Sequence, residues 1–210
     1  NYLKLIENGV EEDSLKGKVL ILGLGGGILS NILINKGYEV KAIEFDKTII
    51  DCAKNYFNLN SKTVVIEDDA RNYINKCDEK FQYIIFDLFK SEECPSHVVT
   101  IESLNKIKNI INPNGKVFVN WHGYYKNEIG KGTLTLINTF KAAGFDVNLK
   151  STSLNEAHSN LVFKCNLNDK IKANPYFEIN SDNFQILEKQ NALASLQWRK
   201  NYLNYYQSNK

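Results

Sequence analysis

A Rossmann-like α/β fold is what the sequence predicts: an open, mostly parallel sheet with helices on both faces and an antiparallel pair of strands at one edge. Short apolar runs rich in β-branched residues recur as "KVLILGL" (18–24), "EVKAIEF" (39–45), "TVVIED" (63–68), "FQYIIFDLF" (81–89) and "GKVFVNW" (115–121). They are continuous rather than alternating, the pattern of strands buried on both faces. Segments with helical spacing separate them, for instance Val98, Ile101, Leu104, Ile107 and Ile111, then Leu134, Ile137, Phe140 and Ala143. Strands alternating with helices imply right-handed crossovers and parallel pairing. Past Gly144 only a short polar stretch parts "DVNLKSTS" from "NLVFKCN", which suits an antiparallel edge pair.

The remaining elements follow in order. "NPNG" (112–115) reads as the turn that stops a helix before the fifth strand, because Asn and Gly tolerate left-handed backbone. Asp46 is placed to cap a helix over "KTIIDCAKNYF". Phe184, Leu187, Ala194, Trp198 and Tyr202 mark a C-terminal helix that docks on the domain. The organisation expected is an N-terminal arm (1–16), an α/β domain (17–166) and a C-terminal extension (167–210).

Composition bounds the function. The 210 residues are 43% hydrophobic and 24% charged, with a net charge of +2, so no electrostatic nucleic-acid binder is expected. No apolar run reaches the ~20 residues of a membrane span. Cys52, Cys77, Cys94 and Cys165 are scattered without metal-ligand spacing, so reduced thiols in a cytoplasmic protein are expected, and no metal. The chain begins at Asn1 and has no Met, as a piece of a longer protein would, or a sequence from which modified methionines are missing.

Chemistry is expected where strands end, because ligands in open α/β sheets bind at the carboxyl edge, at the switch point of strand order. Gly23, Gly25, Gly26 and Gly27 fall where the first strand turns into a helix. A G-x-G-x-x-G fingerprint would need glycine at Ile28, and no Gly-Lys-Ser/Thr follows, so the loop suits a nucleoside without a pyrophosphate. Glu44, ending the second strand, can accept both ribose hydroxyls. Asp69, favoured over Asp68 and followed by Ala70, can accept the exocyclic amine of adenine.

Together "VLILGLGGG", "AIEFD", "EDDARNYI" and "FQYIIFDLF…P…GKVFVN" resemble the class I S-adenosylmethionine (AdoMet)-dependent transferases, and within them the spermidine synthase group of aminopropyltransferases. The resemblance spans roughly residues 1–200, with the arm similar to a remnant of that group's β-hairpin and "NSDNFQILEKQNALASLQWR" similar to its C-terminal segment. It implies AdoMet or decarboxylated AdoMet as cofactor and Asp87 as catalytic base. Two positions depart from the pattern. Gly26 stands where the group carries the aspartate that holds the amine of decarboxylated AdoMet, and Lys90 stands where it carries a diamine-binding acid. A lysine repels a cationic diamine.

The expectation is therefore an AdoMet-dependent transferase moving a methyl group to a small or amphipathic acceptor. The alternatives are aminopropyl transfer and a nucleoside-binding regulatory domain without catalysis. Asp87 is the first candidate base, with His122, and also His97, as alternatives. Lys90, Trp121, Tyr124 and Tyr125 are candidate acceptor contacts, since aromatics with polar tips suit an amphipathic or cationic acceptor. Cys94 falls in the expected substrate loop "KSEECPSH" and is not expected to be a nucleophile without a nearby partner that lowers its pKa. A homodimer is the expected assembly.

Overall fold

The computed structural model describes residues 1–12, 15–88, 95–152 and 160–208. Its sheet has seven strands: β1 (Lys18–Leu22), β2 (Glu39–Glu44), β3 (Val64–Glu67), β4 (Phe81–Phe86), β5 (Ile111–Trp121), β6 (Phe145–Ser151) and β7 (Leu161–Leu167). Their spatial order is β3-β2-β1-β4-β5-β7-β6. The first five pair in parallel, while β7 runs antiparallel to both β5 and β6. Strand order thus reverses between β1 and β4, the predicted place for a ligand crevice.

Every residue of β4 is buried, as its unbroken apolar run requires. The two faces of the sheet carry separate cores. Leu20, Leu22, Ile84 and Phe86 pack under α4 (Ala70–Lys76) and α5 (Ile101–Ile110), while Val19, Ile21, Tyr83 and Ile85 lie in the core that includes α2 (Ile28–Asn35). Asp46 caps α3 (Lys47–Tyr56) by accepting from Thr48 N at 2.7 Å, as expected.

Three expectations need correction. Within the N-terminal arm, expected to resemble a β-hairpin remnant, residues 2–11 form helix α1 (Tyr2–Glu11). Ile6 and Val10 of α1 are fully buried, each worth about 1.5–3 kcal/mol. Gly9 allows the close approach, since a Cβ there would lie 2.6 Å from the Phe118 ring. The Tyr83 hydroxyl donates to the Val10 carbonyl at 3.0 Å and fixes the helix from beneath. The "NPNG" turn lies inside β5 as an irregularity: Phe81 pairs with Ile111, and Tyr83 pairs with Lys116. Gln82 bridges that gap, accepting from Asn112 Nδ2 and donating to the Asn114 carbonyl. Finally, Val98 sits in a short 3₁₀ turn (Ser96–Val98), and α5 starts at Ile101 behind a Thr100 cap.

The C-terminal helix is α7 (Leu187–Ser208), and it packs on α6 (Lys131–Ala142). Among the described residues no helix is long and apolar enough to cross a membrane.

Candidate active site

The glycine loop opens onto a cavity of about 260 Å³ at the switch point, lined by Tyr2, Gly25, Gly26, Glu44, Asp87 and Leu88 among others. The glycines divide by what they face. Gly23, at φ +94°, is forced by the protein itself: a Cβ there would lie 2.3 Å from the main-chain oxygen of Asp87. Gly27, at φ +75°, is the left-handed cap of α2, and its Cβ would lie 2.4 Å from Leu59; it does not line the cavity. Gly25, at φ +51°, meets nothing within 4 Å, so its missing side chain leaves open space for a ligand.

Glu44 ends β2 and is fixed by main-chain donors on both oxygens. Oε2 accepts from Leu24 N at 3.0 Å and Oε1 from Asp46 N at 3.1 Å. Each carboxylate oxygen keeps a second lone pair. Glu44→Gln is expected to lower affinity for AdoMet at least tenfold, since a charge-assisted bond is worth about 1.5–3 kcal/mol. One of the two N–H groups also loses its acceptor, so the unliganded protein should lose about 1 kcal/mol of stability. Calorimetric titration and a denaturant melt read the two effects separately, and unchanged affinity would remove Glu44 from the site.

Asp87 follows β4, with its main-chain N–H bonded to the Leu22 carbonyl at 2.9 Å. Asn120 Nδ2 donates to Oδ1 at 2.8 Å, and the Tyr2 hydroxyl donates to Oδ2 at 3.1 Å. Asn160 Nδ2 donates to Asn120 Oδ1 at 2.9 Å, which sets which way the Asn120 amide faces. Burial pushes the Asp87 carboxyl above its ordinary value, against the lowering effect of the Asn120 and Tyr2 bonds. Burial and the Asp87 charge push the Tyr2 phenol well above its own range, so it stays a donor. A buried carboxylate with a raised pKa, held by two donors at a cavity wall, is equipped to take a proton.

Asp69 is in first place a helix cap: Oδ1 accepts from Asn72 N at 2.9 Å at the start of α4, and Ala70 is buried behind it. Oδ2 lies 3.4 Å from His97 Nε2. Neither Asp69 nor Ala70 lines the cavity, although both stand at the same carboxyl edge of the sheet.

The aromatic segment at and after the end of β5 is held away from the cavity. Trp121 is a core residue, 1% exposed, with Nε1 donating to Thr133 Oγ1 at 2.8 Å. Tyr124 is also buried, its hydroxyl accepting from Asn201 Nδ2 of α7. The His122 ring stacks on Trp198 of α7 with centroids 5.9 Å apart, and its carbonyl accepts from Asn191 Nδ2. Tyr125 is at the surface, with the Lys126 ammonium 5.3 Å over its ring. None of the four lines the cavity. The reason is the packing of α6 and α7: Thr133 of α6 takes the Trp121 N–H, while Asn201 and Trp198 of α7 hold Tyr124 and His122. Lys90 and Cys94 lie outside the described residues.

Sequence reasoning missed Tyr2, Asn120 as a holder of Asp87, and Asn160. No local signal marks them, because their partners are 85, 33 and 40 positions away.

A crevice at the switch point of a mostly parallel seven-stranded sheet, with an acid ending β2, is the architecture of the class I methyltransferase fold. A probable spermidine synthase from Corynebacterium glutamicum superposes with a TM-score of 0.66 at 15% identity, over 90% of this chain and 70% of that one. The chain belongs to the spermine/spermidine synthase family, whose spermine/spermidine synthase domain model matches residues 5–163. Among curated relatives it is similar to the polyamine aminopropyltransferase of Vibrio vulnificus, 29% identical over 126 residues, which is 57% of this chain and 42% of that protein. It is also similar to the N-terminal histidine N-methyltransferase of Emericella nidulans, 24% identical over 128 residues, 58% of this chain and 23% of that protein. The chain thus spans less than half the length of either relative.

Proposed function

We propose that this chain binds AdoMet at the β1–β4 switch point and transfers its methyl group to a small or amphipathic acceptor, with Asp87 as the base. The observation that carries the choice of donor is the floor of the cavity. Gly26 presents no acid there, and the first turn of α2 (Ile28, Leu29 and Ser30) lines the same cavity. The N–H groups of a helix N-terminus favour an anion such as the carboxylate of AdoMet, which the decarboxylated donor lacks. In this reading the ribose hydroxyls bond to Glu44, the base lies toward Asp69, and the sulfonium sits near Asp87. Substitution at a sulfonium carbon needs the acceptor aligned with that carbon and, for an ammonium acceptor, one proton removed. Asp87 takes that proton, while Tyr2 and Asn120 keep its oxygens in place.

The similarity to a polyamine aminopropyltransferase favours a second reading, aminopropyl transfer from decarboxylated AdoMet. A side-by-side titration of AdoMet and decarboxylated AdoMet decides between them, followed by turnover assays with putrescine and spermidine. AdoMet is expected to bind at least as tightly as the decarboxylated donor, and putrescine to be a poor acceptor. A strong preference for the decarboxylated donor together with putrescine turnover would sink the methyl-transfer reading. A cytoplasmic setting, a homodimer and the absence of a nucleic-acid partner belong to the same proposal. Sedimentation of the purified chain tests the dimer.

A further inference from the structure

We propose that His97 is a positioning residue for recognition of the nucleoside base: it holds the Asp69 carboxylate ready to accept the exocyclic amine of adenine. The C-terminal segment around Asn180 and Asp182 in turn holds His97. This rests on the reading of the cavity as an AdoMet site.

The geometry is a grip from two sides. Asp69 caps α4 and Arg71 lies in its first turn, and both reach the same residue. Arg71 Nη1 donates to the His97 carbonyl at 3.1 Å, while Asp69 Oδ2 faces His97 Nε2 at 3.4 Å. Since a carboxylate is only an acceptor, Nε2 carries the proton and donates. Asp69 Oδ1 is committed to capping α4, so Oδ2 is the oxygen left to meet a ligand. A bond from His97 fixes that oxygen's orientation and still leaves it a lone pair.

The segment on either side of His97 is anchored in the core: Ser96, Val98, Val99 and Thr100 are all buried. Asn180, fully buried, donates from Nδ2 to the carbonyls of Ser96 and Val99 at 2.8 and 3.2 Å. Asp182 accepts from Thr100 Oγ1 at 2.6 Å and from Arg71 Nη2 at 2.7 Å. Yet His97 and Asp69 themselves stay open, with side chains 44% and 40% exposed. An exposed hydrogen-bonded pair contributes little stability of its own, so His97 is the open side chain of a segment otherwise held in the core. A rigid frame around an open imidazole–carboxylate pair is what reading a ligand edge demands.

Position agrees with this role. Glu44 pairs in register with Glu67 at the end of β3, and the Asp68 N–H donates to the Glu44 carbonyl at 3.1 Å. Asp69 therefore stands one strand over, about 5 Å sideways, and beyond the end of β3. A base whose ribose is held at Glu44 extends along that edge.

The test compares S-adenosylhomocysteine with its inosine counterpart, in which a carbonyl replaces the amine and would face the Asp69 carboxylate. Titration calorimetry on the folded chain, checked by its melting curve, is expected to show the wild type preferring the adenosine ligand about tenfold or more. His97→Ala should bring the two affinities within about threefold, and His97→Gln, which keeps a donor, should restore most of the preference. Discrimination unchanged in His97→Ala, equal loss of both ligands, or no rescue by glutamine would each overturn the proposal. So would a wild type that binds both ligands alike. Binding of neither ligand by the wild type would instead overturn the nucleoside reading on which the proposal stands.

Discussion

Asp87→Asn is expected to lower turnover by roughly two to four orders of magnitude, the usual contribution of a positioned base, while cofactor affinity stays within a few-fold. The structure shows why the variant should still fold. Asparagine keeps one acceptor for Asn120 Nδ2, and its own amide can donate to the Tyr2 oxygen, since a phenol both donates and accepts. The pH dependence has a definite sign. Burial raises the Asp87 pKa above its ordinary 3.8, so the deprotonated base is lost as pH falls through that higher value. The acid limb of kcat/KM should therefore lie above pH 3.8 and vanish in the variant.

Stability follows the opposite course. A carboxyl whose folded pKa exceeds its unfolded one holds its proton more tightly when folded, so stability falls as pH rises through the window between the two values. Asp87→Asn removes that penalty, and the variant should be at least as stable as the parent at neutral pH. Full activity in Asp87→Asn, measured by single-turnover methyl transfer, would show that the reaction uses no base at this position.

Gly23→Ala should cost about 2–4 kcal/mol of folding stability, combining a left-handed backbone penalty with overpacking. The added Cβ would meet the Asp87 main-chain oxygen at 2.3 Å, a contact no side-chain rotation relieves. Because that oxygen belongs to the residue proposed as base, turnover should fall with stability. Gly25→Ala is the matching control. Its Cβ meets nothing within 4 Å, so only the φ +51° conformation is strained, at about 1 kcal/mol. Its larger effect should be on ligand affinity, since Gly25 lines the cavity. Equal denaturant midpoints for the two variants would contradict the division between glycines that serve the chain and glycines that serve the ligand.

The strands, the glycine turn and the placement of Glu44 and Asp87 at the carboxyl edge were legible because each rests on short-range information. A run such as "FQYIIF" must be buried on both faces whatever surrounds it, and the polar residue that follows it must reach the carboxyl edge of the sheet. Asp46 was legible for the same reason, since a cap acts two residues away. Tertiary structure alone decided the rest. Residues 2–11 have no intrinsic reason to lie on the sheet; the match of Gly9 to the Phe118 ring and the burial of Ile6 and Val10 put them there, and so bring Tyr2 to Asp87. Trp121 and Tyr124 read equally well as ligand contacts or as core until α6 and α7 supply Thr133 and Asn201 as partners. Asp69 likewise offers the same carboxylate to a cap, a base or a histidine, and only the fastening of residues 96–100 by the C-terminal segment brings His97 to it. Apolar periodicity and turn chemistry are local quantities; which donor meets which acceptor across tens of residues is set by packing.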